Sequence, residues 1–250
     1  MGALPTLDAH AHVNPLVKPS DLAESGAVLA QTSSLDDAVL ALGRNDENLA
    51  WGVGCHPRFP EAQRAFDAER YRSLLVGAAM AGEVGLDSRS KVRLDDQTRV
   101  LREILETVAG LHRILSIHSV GVTAEILEEL RRTPVAAPIL HWWTGTPAET
   151  VDAVGMGCFF SIHADVARQS KWWKHVPIDR FLVESDHGRR DPPQAIPLRI
   201  GWVEHLVAQQ YRFSPLEVRL ISWRNLGTIV ELTGTRDLLP ALFRDTLARL

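Results

Sequence analysis

Eight short apolar runs recur along the chain, and each is followed at once by a polar side chain, in most cases His or a carboxylate. The runs cover residues 6–13, 27–31, 50–54, 78–84, 114–117, 138–140, 158–162 and 180–183. They are rich in Val, Ile, Leu, Ala and Phe and nearly continuous in apolarity, as strands covered on both faces should be. His12, Thr32, His56, Glu83, His118, His141, His163 and Asp186 mark their ends, 20 to 35 residues apart. Between the runs lie helical stripes. Residues 95–109 carry Val100, Leu101, Ile104, Leu105 and Val108, and residues 123–132 carry Ile126, Leu127 and Leu130. Residues 36–43 repeat the pattern on a smaller scale. Thr146-Pro147-Ala148-Glu149 and Ser214-Pro215-Leu216-Glu217 each read as a capping box with Pro at the first helical position. Strand and helix alternating eight times predict an α/β fold, the (β/α)8 TIM barrel, as one domain over residues 1–250. Each interval is expected to hold one helix and two short loops, with further helices after about residue 188. An open doubly wound sheet is the rival, but its Gly-rich phosphate turn after the first strand is missing.

Composition narrows the class. The 250 residues are 45% hydrophobic and 23% charged, an ordinary globular balance that excludes disorder and low-complexity structure. The net charge of −4 argues against a protein that coats nucleic acid electrostatically, though not against a local basic groove. Two cysteines, Cys55 and Cys158, are too few for a disulfide framework. They are expected in the core of a cytoplasmic protein. No apolar run reaches the roughly 18 residues of a membrane span, and neither a signal peptide nor a lipid anchor is expected at the N-terminus.

The strand ends carry the chemistry. In Asp8-Ala9-His10-Ala11-His12, the two imidazoles share one side of a strand and can chelate a metal. Alone, such a pair is more often two ordinary hydrogen-bonded histidines. In a barrel, however, Glu83, His118, His141 and Asp186 reach the same C-terminal face as His10 and His12. Unpaired, such groups would cost several kcal/mol to bury. Four imidazoles and two carboxylates suffice for two divalent ions sharing a bridging group. Mixed ligation of this kind accepts Zn2+, Mn2+ or Mg2+.

These motifs resemble the TatD-type metal-dependent hydrolases of the amidohydrolase superfamily. The opening D-x-H-x-H is Asp8, His10 and His12, and G-x-H-P is Gly54-Cys55-His56-Pro57. G-E-x-G-L-D runs from Gly82 to Asp87, followed by Gln97 in the next helix. Ile117-His118, His141-Trp142-Trp143-Thr144-Gly145 and Leu182-Val183-Glu184-Ser185-Asp186 follow in order, with Asn225 on a late helix. The resemblance implies that His10, His12 and Asp186 hold one ion, that His118 and His141 hold the other, and that Glu83 bridges them. It further implies a hydroxide between the ions as nucleophile, Asp186 as proton acceptor and the phosphodiester bonds of DNA as substrate. The family arginine two residues after the strand-5 His is replaced here by Val120. Trp142-Trp143 and His163 resemble the TatD-like member of Qat anti-phage defence operons, which would bring partner proteins.

Substrate contacts are expected at His56, His163, His187, Trp143, Lys171 and Arg189. The last two belong to a set of loop cations, with Arg58, Arg89, Lys91 and Arg93, that reads either as a phosphate track or as an ordinary solvated rim. Four tryptophans, Trp142, Trp143, Trp172 and Trp173, fall near the same face. At least one of each pair is expected to point inward, because neighbouring side chains diverge. The leading expectation is a two-metal nuclease acting on single-stranded DNA. The alternatives are hydrolysis of a small amide, lactone or phosphate ester, and a binding subunit of a defence complex.

Overall fold

The computed structural model describes residues 3–169, 173–188 and 199–250. Eight strands form one sheet in sequence order: β1 (Leu7–His12), β2 (Ala27–Gln31), β3 (Leu49–Val53), β4 (Met80–Asp87), β5 (Ile114–Val120), β6 (Ile139–Leu140), β7 (Phe159–Ile162) and β8 (Phe181–Val183). All neighbours are parallel. The sheet closes on itself where the His12 N–H donates to the His187 carbonyl at 2.7 Å and the Asp186 N–H donates to the His10 carbonyl at 3.0 Å. The fold is the expected (β/α)8 barrel. Nearly every strand residue is buried, which is why the runs read as continuous apolarity rather than alternation.

Ten α-helices are present among the described residues: α1 (Leu35–Leu42), α2 (Pro60–Arg64), α3 (Ala68–Val76), α4 (Leu94–Leu111), α5 (Thr123–Arg132), α6 (Pro147–Gly155), α7 (Ala164–Ala167), α8 (Ile200–Tyr211), α9 (Pro215–Thr233) and α10 (Ala241–Leu247). The apolar stripe of α4 is buried as its periodicity requires. Both capping boxes form, with Thr146 and Ser214 accepting from the N–H groups of Glu149 and Glu217. No described helix is long and apolar enough to cross a membrane.

One helix per interval does not hold throughout. Between β1 and β2 only a single 3-10 turn forms, Pro19–Leu22. Pro15 and Pro19 lack the N–H groups a helix needs, and Arg44 holds the loop by donating to the Pro15 and Val17 carbonyls. Between β3 and β4 the helix is split in two, because Asp67 caps a fresh start by accepting from the Arg70 N–H. After β7 the helix is one turn long, and 3-10 segments at Trp173–His175 and Ile178–Arg180 lead to β8.

The barrel is stoppered at its N-terminal end. Leu7, Ala27, Met80, Ile114, Ile139 and Phe159, the first residues of their strands, pack with Trp223, Leu226, Phe243 and Leu247 from α9 and α10. The Trp223 indole N–H donates to the Pro5 carbonyl at 2.8 Å. Asn225 on α9 donates to the carbonyls of Ile178 and Phe181, fixing where β8 begins. The strand C-terminal ends are thereby left as the open face.

Two adjacent tryptophans after β6 part company there. Trp142 adopts a positive φ of 43°, which turns the chain so that Trp143 enters the core while Trp142 faces the open end. Gly145 packs flat against the buried Trp143 ring, and a Cβ there would lie 2.1 Å from Trp143 Cζ2. Gly145→Ala should therefore destabilise the protein by about 1–3 kcal/mol, the usual range for overpacking. Gly110→Ala in α4, where a Cβ meets nothing within 4 Å, should be neutral or stabilising. Thermal melting of the two variants checks the contrast, and equal melting temperatures would contradict it.

Candidate metal centre and active site

Glu83 sits midway along β4 and is 1% exposed. Imidazoles surround it from four strand ends. Its Oε2 lies 2.8 Å from His12 Nε2, 3.2 Å from His56 Nε2 and 3.4 Å from His10 Nε2. Its Oε1 lies 2.5 Å from His118 Nδ1 and 2.9 Å from His141 Nε2. The two carboxylate oxygens thus face separate sets of nitrogens. Asp186 completes the first set, with Oδ1 3.9 Å from His10 Nε2 and 3.8 Å from His12 Nε2.

Three of the rings are oriented from behind. His10 Nδ1 meets Ser116 Oγ at 2.9 Å. His118 Nε2 meets Asp87 Oδ2 at 2.9 Å. His141 Nδ1 lies 3.5 Å from Glu184 Oε1, and the Ser161 hydroxyl donates to the other oxygen of that carboxylate. Such outer partners hold a metal-binding imidazole in one tautomer and one attitude. Asp87 is in turn fixed by Gln97, whose side-chain oxygen accepts the Asp87 N–H at 2.8 Å. Asp8 works differently. Its carboxylate accepts from the Ser185 N–H at 3.0 Å and the Ser185 hydroxyl at 2.5 Å, stitching β1 to the end of β8.

Electrostatics follow from burial. Burial pushes Glu83 upward, but His56, His141 and His118 outweigh it and hold the carboxyl well below its ordinary range. Burial, with His141 beside it, drives the His10 imidazole down to about 3, so it is a neutral donor. Burial raises the Asp186 carboxyl to about 7, against the pull of His141 and His12.

The donor set fits divalent metal. Imidazole nitrogens and a carboxylate oxygen lie within 4.8 Å of one another in three groups: His10, His12 and Glu83; His56, Glu83 and His118; and His10, His141 and Glu184. His10 Nε2 is buried, makes no hydrogen bond and points at this cluster. In the third group, Glu184 approaches His141 on its Nδ1 side, away from Glu83, which matches an orienting role.

All six expected ligands, His10, His12, Glu83, His118, His141 and Asp186, come together. His56 does so too, with its Nε2 against Glu83. A cavity of about 660 Å3 opens above them, lined by His12, His56, Arg58, Phe59, Arg89, Val120, Trp142, Thr144 and Gly188 among others. His163 is part-buried and stacks on Trp142, ring centroids 3.7 Å apart. His187 is buried and lines a smaller adjoining recess with Asn14 and Asp37. Trp143 corrects the expectation of a substrate contact. It is fully buried, and its indole N–H donates to Thr150 Oγ1 at 2.9 Å, so it presents no surface to the cavity. Lys171, Arg189 and Trp172 lie outside the described residues. The residues missed at first are those behind the rings, Ser116, Asp87 and Glu184, and one in the wall, Phe59. Asp87 and Glu184 stood inside the strand-end motifs, which was the available signal.

The profile of the family described as TatD related DNase matches residues 7–229. Over 168 residues the chain is 26% identical to the putative deoxyribonuclease TATDN3 of Mus musculus, covering 63% of this chain and 56% of that protein. Deoxyribonuclease TATDN3 of Homo sapiens is 24% identical, again over 168 residues, covering 63% and 60%. The alignments thus span little more than half of these relatives. Among solved structures, YJJV, a TatD homologue from Escherichia coli k12, superposes with a TM-score of 0.76 at 18% identity, over 90% of this chain and 97% of that one. A TatD family hydrolase from Entamoeba histolytica gives 0.72 at 13% identity, over 92% and 99%. At these identities the superpositions speak to the fold.

Two variants probe the centre. Asp87→Asn leaves His118 in place but removes the charge behind it, and should weaken divalent-metal binding by about 10- to 100-fold, read by calorimetric titration. Glu83→Gln should abolish stoichiometric metal binding while the circular dichroism spectrum stays that of a folded barrel. Full metal content in Glu83→Gln would remove that carboxylate from the centre.

Proposed function

We propose a function from one premise: this chain belongs to the TatD related DNase family. On that premise it is a metal-dependent hydrolase of phosphodiester bonds in nucleic acid, with single-stranded DNA as its substrate. The observation that carries the reading is the division of labour at Glu83. Its Oε2 faces His10 and His12, and its Oε1 faces His118 and His141. One carboxylate with a separate set of donors on each oxygen suits a pair of ions, with Asp186 beside the first. Such a pair, of Zn2+, Mn2+ or Mg2+, supplies Lewis-acid activation of water and of the phosphate when bound.

The chain's own groups do the rest. Asp186, beside the first set of donors, serves as the general base. Ser116, Asp87 and Glu184 keep the imidazoles from swinging toward the substrate. The cavity admits a thin chain. Its volume of about 660 Å3 is that of a small-ligand site. A strand end can enter such a pit, whereas a duplex is stopped at the rim with its phosphates held away from the floor. Val120 lines this wall where the family resemblance implies an arginine, so a phosphate must find its positive charge elsewhere.

The purified chain, loaded with Mn2+ or Zn2+, should bind about two ions by elemental analysis and degrade end-labelled single-stranded DNA faster than blunt duplex. Asp186→Asn should lower kcat by at least about 100-fold. Equal rates on single strand and duplex would sink the single-strand preference. Turnover of a small ester, lactone or amide with no cleavage of DNA would put the small-substrate alternative in its place.

A further inference from the structure

The ends of β3 and β4 contribute an aromatic ring and two guanidinium groups that the chemistry above leaves unused. Phe59 lines the cavity yet is 47% exposed. A ring of that size is normally buried for its apolar area. Its attitude is nevertheless fixed. It stands edge-to-face on His56, with ring centroids 5.0 Å apart and planes at 73°. His56 is pinned in turn, by Glu83 Oε2 at 3.2 Å on one nitrogen and by the Arg58 N–H at 3.1 Å on the other. The Phe59 ring is therefore set at a defined position relative to the floor of the cavity.

The surrounding loops are tied together. The Ser90 hydroxyl donates to the Pro57 carbonyl at 2.7 Å and accepts the Val92 N–H at 3.0 Å. The Arg89 N–H donates to Asp87 Oδ1 at 2.7 Å. Arg58 keeps its half-exposed guanidinium within 3.5 Å of Asp87 Oδ2. Arg89 lines the same cavity, is exposed, and among the described residues forms no ion pair. An apolar occupant would account for the ring but not for the arginines. A simple anion would account for the arginines but not for the ring. A nucleotide with an unpaired base accounts for both, since bases stack on aromatic rings with little regard to sequence and phosphates pair with guanidinium groups.

We infer that Phe59, with Arg58 and Arg89 beside it, is a nucleotide subsite in the cavity wall that stacks one unpaired base and holds its neighbouring phosphate. The subsite rests on the nucleic-acid reading above and adds where the base lies. It also places the compensating positive charge for Val120 on the β3 and β4 loops rather than on β5.

The test is binding of a short, fluorescein-labelled oligothymidine with phosphorothioate linkages to the metal-loaded protein, read by anisotropy. Phe59→Ala should raise Kd by about 5- to 150-fold, the range for loss of one stacked base. Phe59→Leu, which keeps apolar bulk and guards against a folding defect, should also weaken binding, and Phe59→Trp should restore it. An abasic residue walked along the oligonucleotide should weaken binding to the wild-type protein at one position and have no further effect on Phe59→Leu. Arg89→Ala should flatten the dependence of log Kd on log salt by about 0.7, the single-strand value for one phosphate. Wild-type affinity in Phe59→Leu, or a loss confined to Trp142→Leu, would overturn the assignment even in a chain that cleaves DNA. If the chain cleaves no nucleic acid but Phe59→Leu still loses affinity, the subsite stands and the nuclease reading falls. If the oligonucleotide does not bind the wild-type protein, both fall.

Discussion

One buried carboxylate organises the open end of this barrel. Glu83 is almost wholly removed from water, and a lone charge there would cost several kcal/mol. It survives because imidazoles from β1 and β5 and from the segments after β3 and β6 converge on its two oxygens. All but His12 of those rings are themselves buried and must be satisfied on the other nitrogen or held by packing. The demand therefore passes outward to Ser116, Asp87 and Glu184, and from Asp87 to Gln97 on α4. Helix placement and site geometry are thus coupled through a short chain of hydrogen bonds. Removing an outer member should loosen the centre without unfolding the barrel.

The fold was legible because its strands are covered on both sides. Continuous apolar runs identified all eight, and the runs at Ala27–Gln31 and Thr123–Arg132 match the observed strand and helix end for end. The intervals were less legible. A spacing of about twenty residues allows a helix but does not require one. Pro15 and Pro19 after β1 prevented it, and Asp67 restarted a helix that periodicity alone would leave unbroken. Strand β6 is only two residues long, held by β5 and β7 on either side rather than by its own propensity.

The centre was legible for a related reason: polar residues at the ends of apolar strands must gather on one face. What could not be read was direction off the strand. Trp142 and Trp143 are chemically equal neighbours, and only the positive φ at Trp142 decides which enters the core. Phe59 gave no signal because it follows Gly54-Cys55-His56-Pro57 in a loop, where no periodicity tells an exposed ring from a buried one. The roles of Ser116 and Glu184 depend on distances across the barrel, which spacing along the chain does not report.

The stitch between β1 and β8 sets a schedule for biosynthesis. Asp8 arrives with the first strand, whereas Ser185, its partner across the seam, arrives 177 residues later, with Asp186 beside it. Until then the sheet has an open edge at β1, and His10 and His12 face half a cavity. Synthesis runs from the N-terminus, so the centre is among the last parts of the barrel to be completed, although its first two imidazoles belong to the first strand. His10 and His12 are therefore made well before Asp186, the carboxylate that meets them across the seam.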